Sequence, residues 1–287
     1  MLRGIINQKG ESLMKKTSFF DQDNYDFHLV SISFRAAKVG FYNQFGRRAN
    51  NEIVYKLDGS SEQRFDNLTL ELVPDSIYYI PKFSSNSQLI KEPGTIIHVE
   101  FEILGKTDGS EFPPEIIHLD SGNPYKKLFL GAEELWRHKY AGYYLKAHSM
   151  ISEVLSKIVG DREKQYMQSS KYALIAPALN YIRENYRTEI SVSSLAKLCG
   201  ISDEYLRVLF KSYTGQTPLS YTNTLRLENA RDMLRSGYVS VAEAAEANGF
   251  ESPGYFSRIF KKHFRISPSK VCQIEAEMPD FYTKENN

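Results

Sequence analysis

The chain has 287 residues, a formal net charge of +1 and a hydrophobic content of 41%. The length suggests about two domains, and the apolar content is sufficient for packed cores. The net charge does not by itself indicate nucleic-acid binding, so any such affinity would rest on the local placement of cations and not on a basic tail. Positive charge is concentrated towards the C-terminus: residues 171–275 hold 14 Lys and Arg against 10 Asp and Glu, whereas residues 1–170 hold 21 against 22.

The composition also bears on the compartment. Two cysteines, Cys199 and Cys272, in a chain of this length favour reducing conditions. No run approaches the roughly 18 apolar residues of a membrane span, and the N-terminus lacks the apolar stretch of a signal peptide. We therefore expect a cytoplasmic protein that does not bind membranes. Codons for Lys9-Gly10-Glu11 can resemble a ribosome-binding site, which suggests that translation starts at Met14.

Residues 1–25 are expected to be a flexible segment, and residues 26–120 to form a β-domain. Five segments of that domain have the alternation and the residue types of strands. They span residues 26–34, 51–57, 67–72, 76–80 and 95–103. Turn signals such as Pro93-Gly94 separate them. Short strands at this spacing are typical of a barrel or a double sheet.

Helical spacing replaces alternation in residues 121–160, which we interpret as a helical segment. Its apolar stripe consists of Tyr140, Tyr144, Ala147, Ile151, Leu155 and Ile158. The stripe either forms a dimer seam or covers the β-domain. Gly142 is expected near a break between two helices. We interpret the polar residues 161–170 as a linker and residues 276–287 as a polar tail.

Residues 171–275 are predicted to be wholly helical, with well-marked boundaries. Serine or threonine stands at the N-cap positions, proline follows three of these caps, and Gly200 and Gly249 suit left-handed C-terminal turns. Ser240 with Glu243 predicts a capping box. The seven expected helices span about residues 172–186, 192–199, 203–214, 218–236, 241–248, 253–264 and 268–275.

This helical region contains an internal duplication. Residues 195–200 (Leu-Ala-Lys-Leu-Cys-Gly) correspond to residues 244–249 (Ala-Ala-Glu-Ala-Asn-Gly) at an offset of 49, and residues 205–211 to residues 255–261 at an offset of 50. Each copy has the pattern helix, glycine turn, helix, which is typical of a helix-turn-helix unit. Two units in series imply two recognition helices on one DNA duplex.

The second helix of each unit has an inward apolar face and an outward polar face. The residues expected to face DNA are Glu204, Arg207 and Lys211 in the first unit, and Ser257, Arg258 and Lys261 in the second. Arginine can bond guanine, glutamate can accept from cytosine, and serine can serve a base or a phosphate. The two lysines are better placed for phosphate. A solvated helix face is the alternative interpretation of all six.

Residues 171–275 closely resemble the DNA-binding domain of the AraC/XylS family of bacterial transcription regulators. The most specific stretch is Gly249-Phe-Glu-Ser-Pro-Gly-Tyr-Phe-Ser-Arg-Ile-Phe-Lys-Lys262, followed by Phe264 and Ser267-Pro268. The resemblance implies that Glu204, Arg207, Ser257 and Arg258 occupy positions that face DNA. Because Pro253 and Gly254 lack base-reading side chains, we expect most base discrimination in the first unit.

The N-terminal half is similar in layout to the cupin-type sensory domain common in that family, through Tyr55–Gly59 and Leu72–Pro81. This similarity implies a small-molecule effector, such as a carbohydrate, inside a β-barrel. It also implies that residues 121–160 are a helical dimerisation segment that forms a homodimer, and that the protein recruits RNA polymerase. The fold class expected is α+β with two domains: a cupin-like β-barrel with trailing helices, and an all-α domain of seven helices with two helix-turn-helix units.

Effector-binding residues cannot be assigned from the sequence, because pocket chemistry depends on which side chains point inward. Arg47, Arg48 and Tyr55 are candidates, although exposed loop charges and barrel packing explain them more simply. His98, Glu100 and Glu102 alternate on one strand and suggest a metal site. A solvated strand face is favoured for those three, so no metal and no cofactor are expected.

The function expected is that of a sequence-specific DNA-binding transcription regulator, an activator controlled by a small molecule, and not an enzyme. One alternative is a regulator without an effector, controlled by its abundance or by a protein partner. Another is an enzyme with a DNA-binding appendage. The latter would need a nucleophilic or zinc-bound cysteine, which Cys199 and Cys272, both within the helical region, do not supply.

Overall fold

The computed structural model describes residues 18–21, 26–38, 42–105 and 108–276. The described residues divide into two compact units, one ending at Gln165 and the other beginning at Tyr166. The expected translation start at Met14 and nearly all of the polar tail lie outside the described residues. No helix in the described ranges is both long and apolar enough to cross a bilayer.

The N-terminal unit contains two antiparallel sheets. Their strands are β1 (Asp26–Ala37), β2 (Tyr42–Phe45), β3 (Asn51–Lys56), β4 (Ser60–Phe65), β5 (Leu68–Leu72), β6 (Ser76–Ile80), β7 (Asn86–Glu92), β8 (Gly94–Leu104) and β9 (Glu115–His118). One sheet has the order β1-β8-β3-β6-β9 and the other β2-β7-β4-β5. Neither closes on itself within the described ranges, so the expected closed barrel is replaced by two open sheets, which removes the continuous hydrogen bonding of a barrel wall.

One face of the five-stranded sheet packs against two helices, α1 (Tyr125–His138) and α2 (Tyr143–Ser169). Gly142 separates them with a φ of +78°, at the expected break. Four members of the apolar stripe of α2 are buried in this core: Ala147, Ile151, Leu155 and Ile158. They therefore cover the β-domain, which was one of the two roles left open for them.

Two segments expected to be irregular are ordered. Phe19–Asp21 form a short 3₁₀ helix, and Phe19 is fully buried with its ring stacked on that of Tyr79 at 4.0 Å between centroids. The flexible segment predicted for residues 1–25 is therefore wrong at this point. The predicted linker is also wrong, because α2 continues through residues 161–169. That stretch contains Glu, Lys, Arg and Gln but no proline or glycine, and such residues extend a helix readily.

The C-terminal unit is helical as predicted. After a 3₁₀ helix at Lys171–Ile175, its helices are α3 (Ala176–Asn185), α4 (Val192–Cys199), α5 (Asp203–Thr214), α6 (Pro218–Arg235), α7 (Val241–Ala247), α8 (Pro253–Phe264) and α9 (Pro268–Ala276). The capping box of Ser240 and Glu243 is present. The predicted bounds agree to within about two residues except at the start of α3, where the first turn is 3₁₀.

The long helix α6 belongs to two hydrophobic cores. Tyr221, near its start, packs into the core of the first helix-turn-helix unit. Leu227, Ala230 and Leu234, further along, pack into the core of the second. Each unit therefore has its own apolar centre, and α6 supplies side chains to both.

Candidate functional site

The recognition helices α5 and α8 are held by equivalent contacts. Apolar residues fix them inward: Leu206, Leu209 and Phe210 in α5, and Phe256 and Phe260 in α8, are all buried. Each helix begins at a serine cap. The Tyr205 amide donates to Ser202 Oγ, and the Tyr255 amide donates to Ser252 Oγ, both at 3.3 Å. The caps satisfy first-turn N–H groups and define where each helix starts.

The six residues predicted to face DNA lie on the outward sides of these helices. Glu204, Arg207, Lys211, Arg258 and Lys261 are exposed, and Ser257 is half-buried. The guanidinium of Arg258 lies 5.5 Å from the centre of the Tyr255 ring. The fold therefore leaves these polar groups accessible to a partner.

The duplication defines one outward stripe on each recognition helix. At an offset of 50 residues, positions 204, 207, 208 and 211 of α5 correspond to positions 254, 257, 258 and 261 of α8. The spacing i, i+3, i+4, i+7 places each set on a single helix face. Sequence reasoning omitted Val208, whose side chain is 59% exposed within this stripe. Its correspondence to Arg258 was the signal that would have identified it.

A cluster around Arg226 joins the two helix-turn-helix units, and we call it the Arg226 junction. Arg226, in α6, donates to two carbonyl oxygens after α3: from Nε to Tyr186 at 2.5 Å and from Nη2 to Thr188 at 2.7 Å. Its guanidinium also lies 5.7 Å from the ring centre of Phe250, in the turn of the second unit. Sequence reasoning gave no indication of this contact, which connects segments about 40 residues apart.

Gly249 belongs to the same junction. Its φ is +77°, and a Cβ built on it would lie 2.1 Å from the carbonyl oxygen of Arg187. Only glycine allows the turn of the second unit to approach the backbone after α3 this closely. The turn glycine therefore serves both the left-handed conformation and the packing between units.

A second candidate site lies between the two sheets of the N-terminal unit. Val54 and Tyr78 pack there against Leu70 and Leu72 of the opposite sheet. Beside this apolar cluster lies a group of polar side chains. Glu52, Gln63, Asn86 and His98 are buried and Arg48 is nearly so, and we call these five residues, with Glu100, the intersheet polar network.

Hydrogen bonds connect this network from one sheet to the other. His98 Nε2 lies 2.8 Å from Glu52 Oε2, and Arg48 pairs with the other oxygen of Glu52. Arg48 Nη2 donates to Asn86 Oδ1 at 3.0 Å, and Asn86 Nδ2 donates to Gln63 Oε1 at 3.1 Å. Burial alone would raise the pKa of Glu52, but hydrogen bonds and charge from His98 and Arg48 outweigh it and lower that pKa.

The solvated strand face predicted for His98 is therefore wrong, because the second sheet covers that face of β8. Ligand atoms of Glu52, His98 and Glu100 all lie within 4.8 Å of one another, so the group could hold a cation. Both carboxylates already pair with arginines, Glu52 with Arg48 and Glu100 with Arg35 at 3.4 Å. A metal ion would have to compete with these charges, and the network suits a polar organic ligand better.

Three buried polar atoms between the sheets lack a hydrogen-bond partner among the described residues. They are Arg48 Nε, Ser61 Oγ and His98 Nδ1. Native proteins leave few such atoms unsatisfied, because each costs about 1–3 kcal/mol. A ligand or ordered water between the sheets would satisfy them.

Comparison with known proteins identifies most of the C-terminal unit. Residues 195–273 match the family model of a helix-turn-helix domain, which spans α4 to α9 and both recognition helices. The chain is 30% identical over 150 residues to the MmsAB operon regulatory protein of Pseudomonas aeruginosa, covering 51% of this chain and 48% of the regulator. Residues 195–273 form a helix-turn-helix domain.

The chain is also similar to a second regulator and to a solved structure. The probable transcriptional regulator LumQ of Photobacterium leiognathi is 23% identical over 83% of this chain and 95% of its own length. A solved structure of a probable AraC family transcriptional regulator from Rhodopseudomonas palustris is 28% identical over 36% of this chain and 97% of that one, with a TM-score of 0.34. The chain spans about half the length of the MmsAB operon regulator.

Proposed function

We propose that the protein is a sequence-specific DNA-binding transcription regulator, an activator controlled by a small molecule bound in its N-terminal unit. The observation that carries this proposal is the pair of capped recognition helices with exposed polar stripes, held together by α6 and the Arg226 junction. Two such helices in one chain suit successive major grooves of one duplex, about 34 Å apart.

Within this proposal the two stripes have different roles. Arg207 and Arg258 bond guanine, Glu204 accepts from cytosine, and Ser257 contacts a base or a phosphate. Lys211 and Lys261 bind phosphates. Gly254 offers no side chain where Glu204 stands in the first unit, so the first unit contributes more of the base discrimination.

The test begins with selection of duplexes from a random pool by the full chain, followed by titration of the selected site at fixed salt. Arg207→Ala and Arg258→Ala should each weaken binding about tenfold or more, with little change in stability, because both side chains are exposed. Lys164→Ala removes the same charge from an exposed position of the N-terminal unit and is the control. Equal affinities for the wild type and all three variants would contradict the DNA-binding role of Arg207 and Arg258.

The effector is assigned to the intersheet polar network. Its support is the concentration of buried hydrogen-bonding groups there, three of them unsatisfied among the described residues. Such a site favours a polar metabolite such as a carbohydrate. A thermal-shift screen of polar metabolites on the full chain should find a stabilising compound, and Asn86→Leu should abolish the shift. A screen in which no compound stabilises the protein would favour the effector-independent alternative.

Homodimerisation and contact with RNA polymerase are further parts of the proposal. The buried residues of the α2 stripe cannot form the seam, so a dimer would use exposed apolar residues such as Leu145, which is 76% exposed. Sedimentation equilibrium of the full chain tests this: a dimer is expected at micromolar concentration, and Leu145→Glu should shift the equilibrium towards monomer. A monomer throughout would remove dimerisation from the proposal.

An enzymatic role has less support. Both cysteines are free and half-buried, and burial raises the pKa of the Cys199 thiol. A raised pKa keeps a thiol protonated, which is the opposite of what a nucleophile needs. Regulation of transcription therefore remains the function that the chain supports best.

A further inference from the structure

We propose that Val208 reads the methyl group of a thymine in the major groove, and thus that it is a specificity-determining residue of the first helix-turn-helix unit. This inference rests on the proposed function, since it assumes that α5 enters a major groove. It adds an apolar contact to a stripe that otherwise holds charged residues.

The position of Val208 on α5 supports this role. It follows Glu204 by four residues and precedes Lys211 by three, so it lies at the centre of the outward stripe. Its neighbours Leu206 and Leu209 are buried and make the contacts that hold the helix, whereas the side chain of Val208 is 59% exposed. Val208 therefore contributes little to the core of this unit.

The choice of valine at an exposed helical position also needs an explanation. A β-branched side chain loses rotamer freedom in a helix and is less favourable there than alanine, lysine or glutamate. At 59% exposure, Val208 gains less than half of the burial energy of a core valine to offset this cost. Local stability would favour another residue at position 208, so a contact made outside the folded chain accounts better for valine.

The duplication indicates what kind of contact this is. Val208 corresponds to Arg258, whose guanidinium can bond guanine O6 and N7. Valine has no donor or acceptor in its side chain, so it cannot read a base by hydrogen bonding. In the major groove, thymine alone presents a methyl group, and apolar side chains contact it. The two units thus differ at this position in the chemistry that they read, guanine in the second and thymine in the first.

The experiment is a double-mutant cycle between protein and DNA, using the full chain and its selected site. Each thymine of the site is replaced in turn by uracil, which removes only the 5-methyl group. For the wild type, one replacement in the half bound by the first unit should weaken binding about fourfold, the factor expected when one methyl group is no longer buried. Val208→Ala should lose a similar factor on the thymine site and no further affinity on that uracil site.

Two further variants make the result specific. Val208→Thr keeps the branched shape and one methyl group, so it should retain part of the sensitivity to uracil. Arg207→Ala should bind more weakly overall and keep the full sensitivity at the same thymine. Because Val208 is exposed, Val208→Ala is expected to fold normally, which thermal unfolding by circular dichroism checks.

The possible outcomes separate this inference from the proposed function. If Arg207→Ala loses affinity but Val208→Ala does not, or if Val208→Ala responds to uracil as the wild type does, the methyl contact is overturned while DNA binding stands. A selected site without thymine under the first unit also overturns it. If the wild type prefers no duplex sequence, both the proposed function and this inference fail.

Discussion

Arg226 and Tyr186 connect the two halves of the DNA-binding domain through a hydrogen bond of 2.5 Å from Nε to the carbonyl oxygen. With the second bond to Thr188, the planar guanidinium holds two backbone oxygens that follow α3. The end of α3 leaves the Tyr186 carbonyl without an intrahelical partner, and Arg226 satisfies it together with the Thr188 carbonyl in the segment that follows. The relative position of the two recognition helices therefore depends on this arginine as well as on the linking helix.

Replacing Arg226 should affect stability and DNA binding together. Arg226→Met keeps the apolar stem but removes both donors, and a loss of about 1–3 kcal/mol in the free energy of unfolding is expected. Arg226→Lys retains the charge without the fork and should recover only part of it. Urea unfolding and titration with the selected duplex measure the two effects. A lysine variant equal to wild type would show that charge, and not the forked geometry, maintains the junction.

Gly249 and Gly200 stand in equivalent turns of the two helix-turn-helix units, so the same substitution can be compared at both. Gly249→Ala places a methyl group 2.1 Å from a backbone oxygen at positive φ. It should lower the free energy of unfolding by more than about 3 kcal/mol or displace the second helix-turn-helix unit. Gly200 has a φ of +66°, and a Cβ added to it would meet no atom within 4 Å. Gly200→Ala should therefore cost only about 1 kcal/mol, from left-handed strain alone. Thermal unfolding compares the variants, and equal losses would exclude a role for the contact with Arg187.

The intersheet polar network gives the N-terminal unit a pH dependence. The pKa of Glu52 is lowered from its usual 4.5 in the folded protein. Its ion pairs therefore contribute their full stability above pH 4.5, and this stability is lost as the pH falls through the lowered pKa. Glu52→Gln leaves Arg48 buried without its charge partner and should cost about 3–5 kcal/mol at pH 7. The difference from wild type should shrink in acid.

Urea unfolding of the full chain at pH 7, 5 and 3 checks this dependence. Glu71→Gln is the control, because Glu71 is an exposed residue that pairs with Lys91 on the surface. It should change stability little at any of these pH values. A constant difference between Glu52→Gln and wild type across the range would show that Glu52 contributes through packing and not through its charge.

Replacing Lys211 or Lys261 should change how DNA affinity depends on salt concentration. Each phosphate contact that is removed lowers the slope of log affinity against log salt by about 1. Lys211→Ala and Lys261→Ala should each reduce that slope without changing which duplexes are selected. Lys164→Ala should leave the slope unchanged. A change in the preferred base at one position would instead place that lysine at a base edge.

The helical unit was predictable because its signals are local. Ser202, Ser252 and the turn glycines mark helix ends within a few residues of the groups they satisfy. The strands β2, β4, β7 and β9 were not predicted, and β4 illustrates why a strand can lack a local signal. In β4 the buried positions are Ser61 and Gln63, so the apolar alternation that identifies a strand is absent there.

The intersheet polar network depends on strand register, which the sequence does not reveal. Glu52 and Glu100 are directly paired across β3 and β8, and His98 lies close to Glu52 only because of that pairing. The contact between Arg226 and Tyr186 is similarly non-local. Both sites need the packed fold to bring together residues that local patterns treat separately.

The Arg226 junction makes the DNA-binding domain sensitive to distance along its target. A B-form duplex turns by about 34° for each base pair. Inserting a single base pair between the two contacted segments would therefore rotate one of them away from its helix and lengthen the gap by about 3.4 Å. If the Arg226 junction fixes the distance and angle between the two recognition helices, the protein cannot adjust to this change. It then discriminates the spacing of two short sequences as well as their bases.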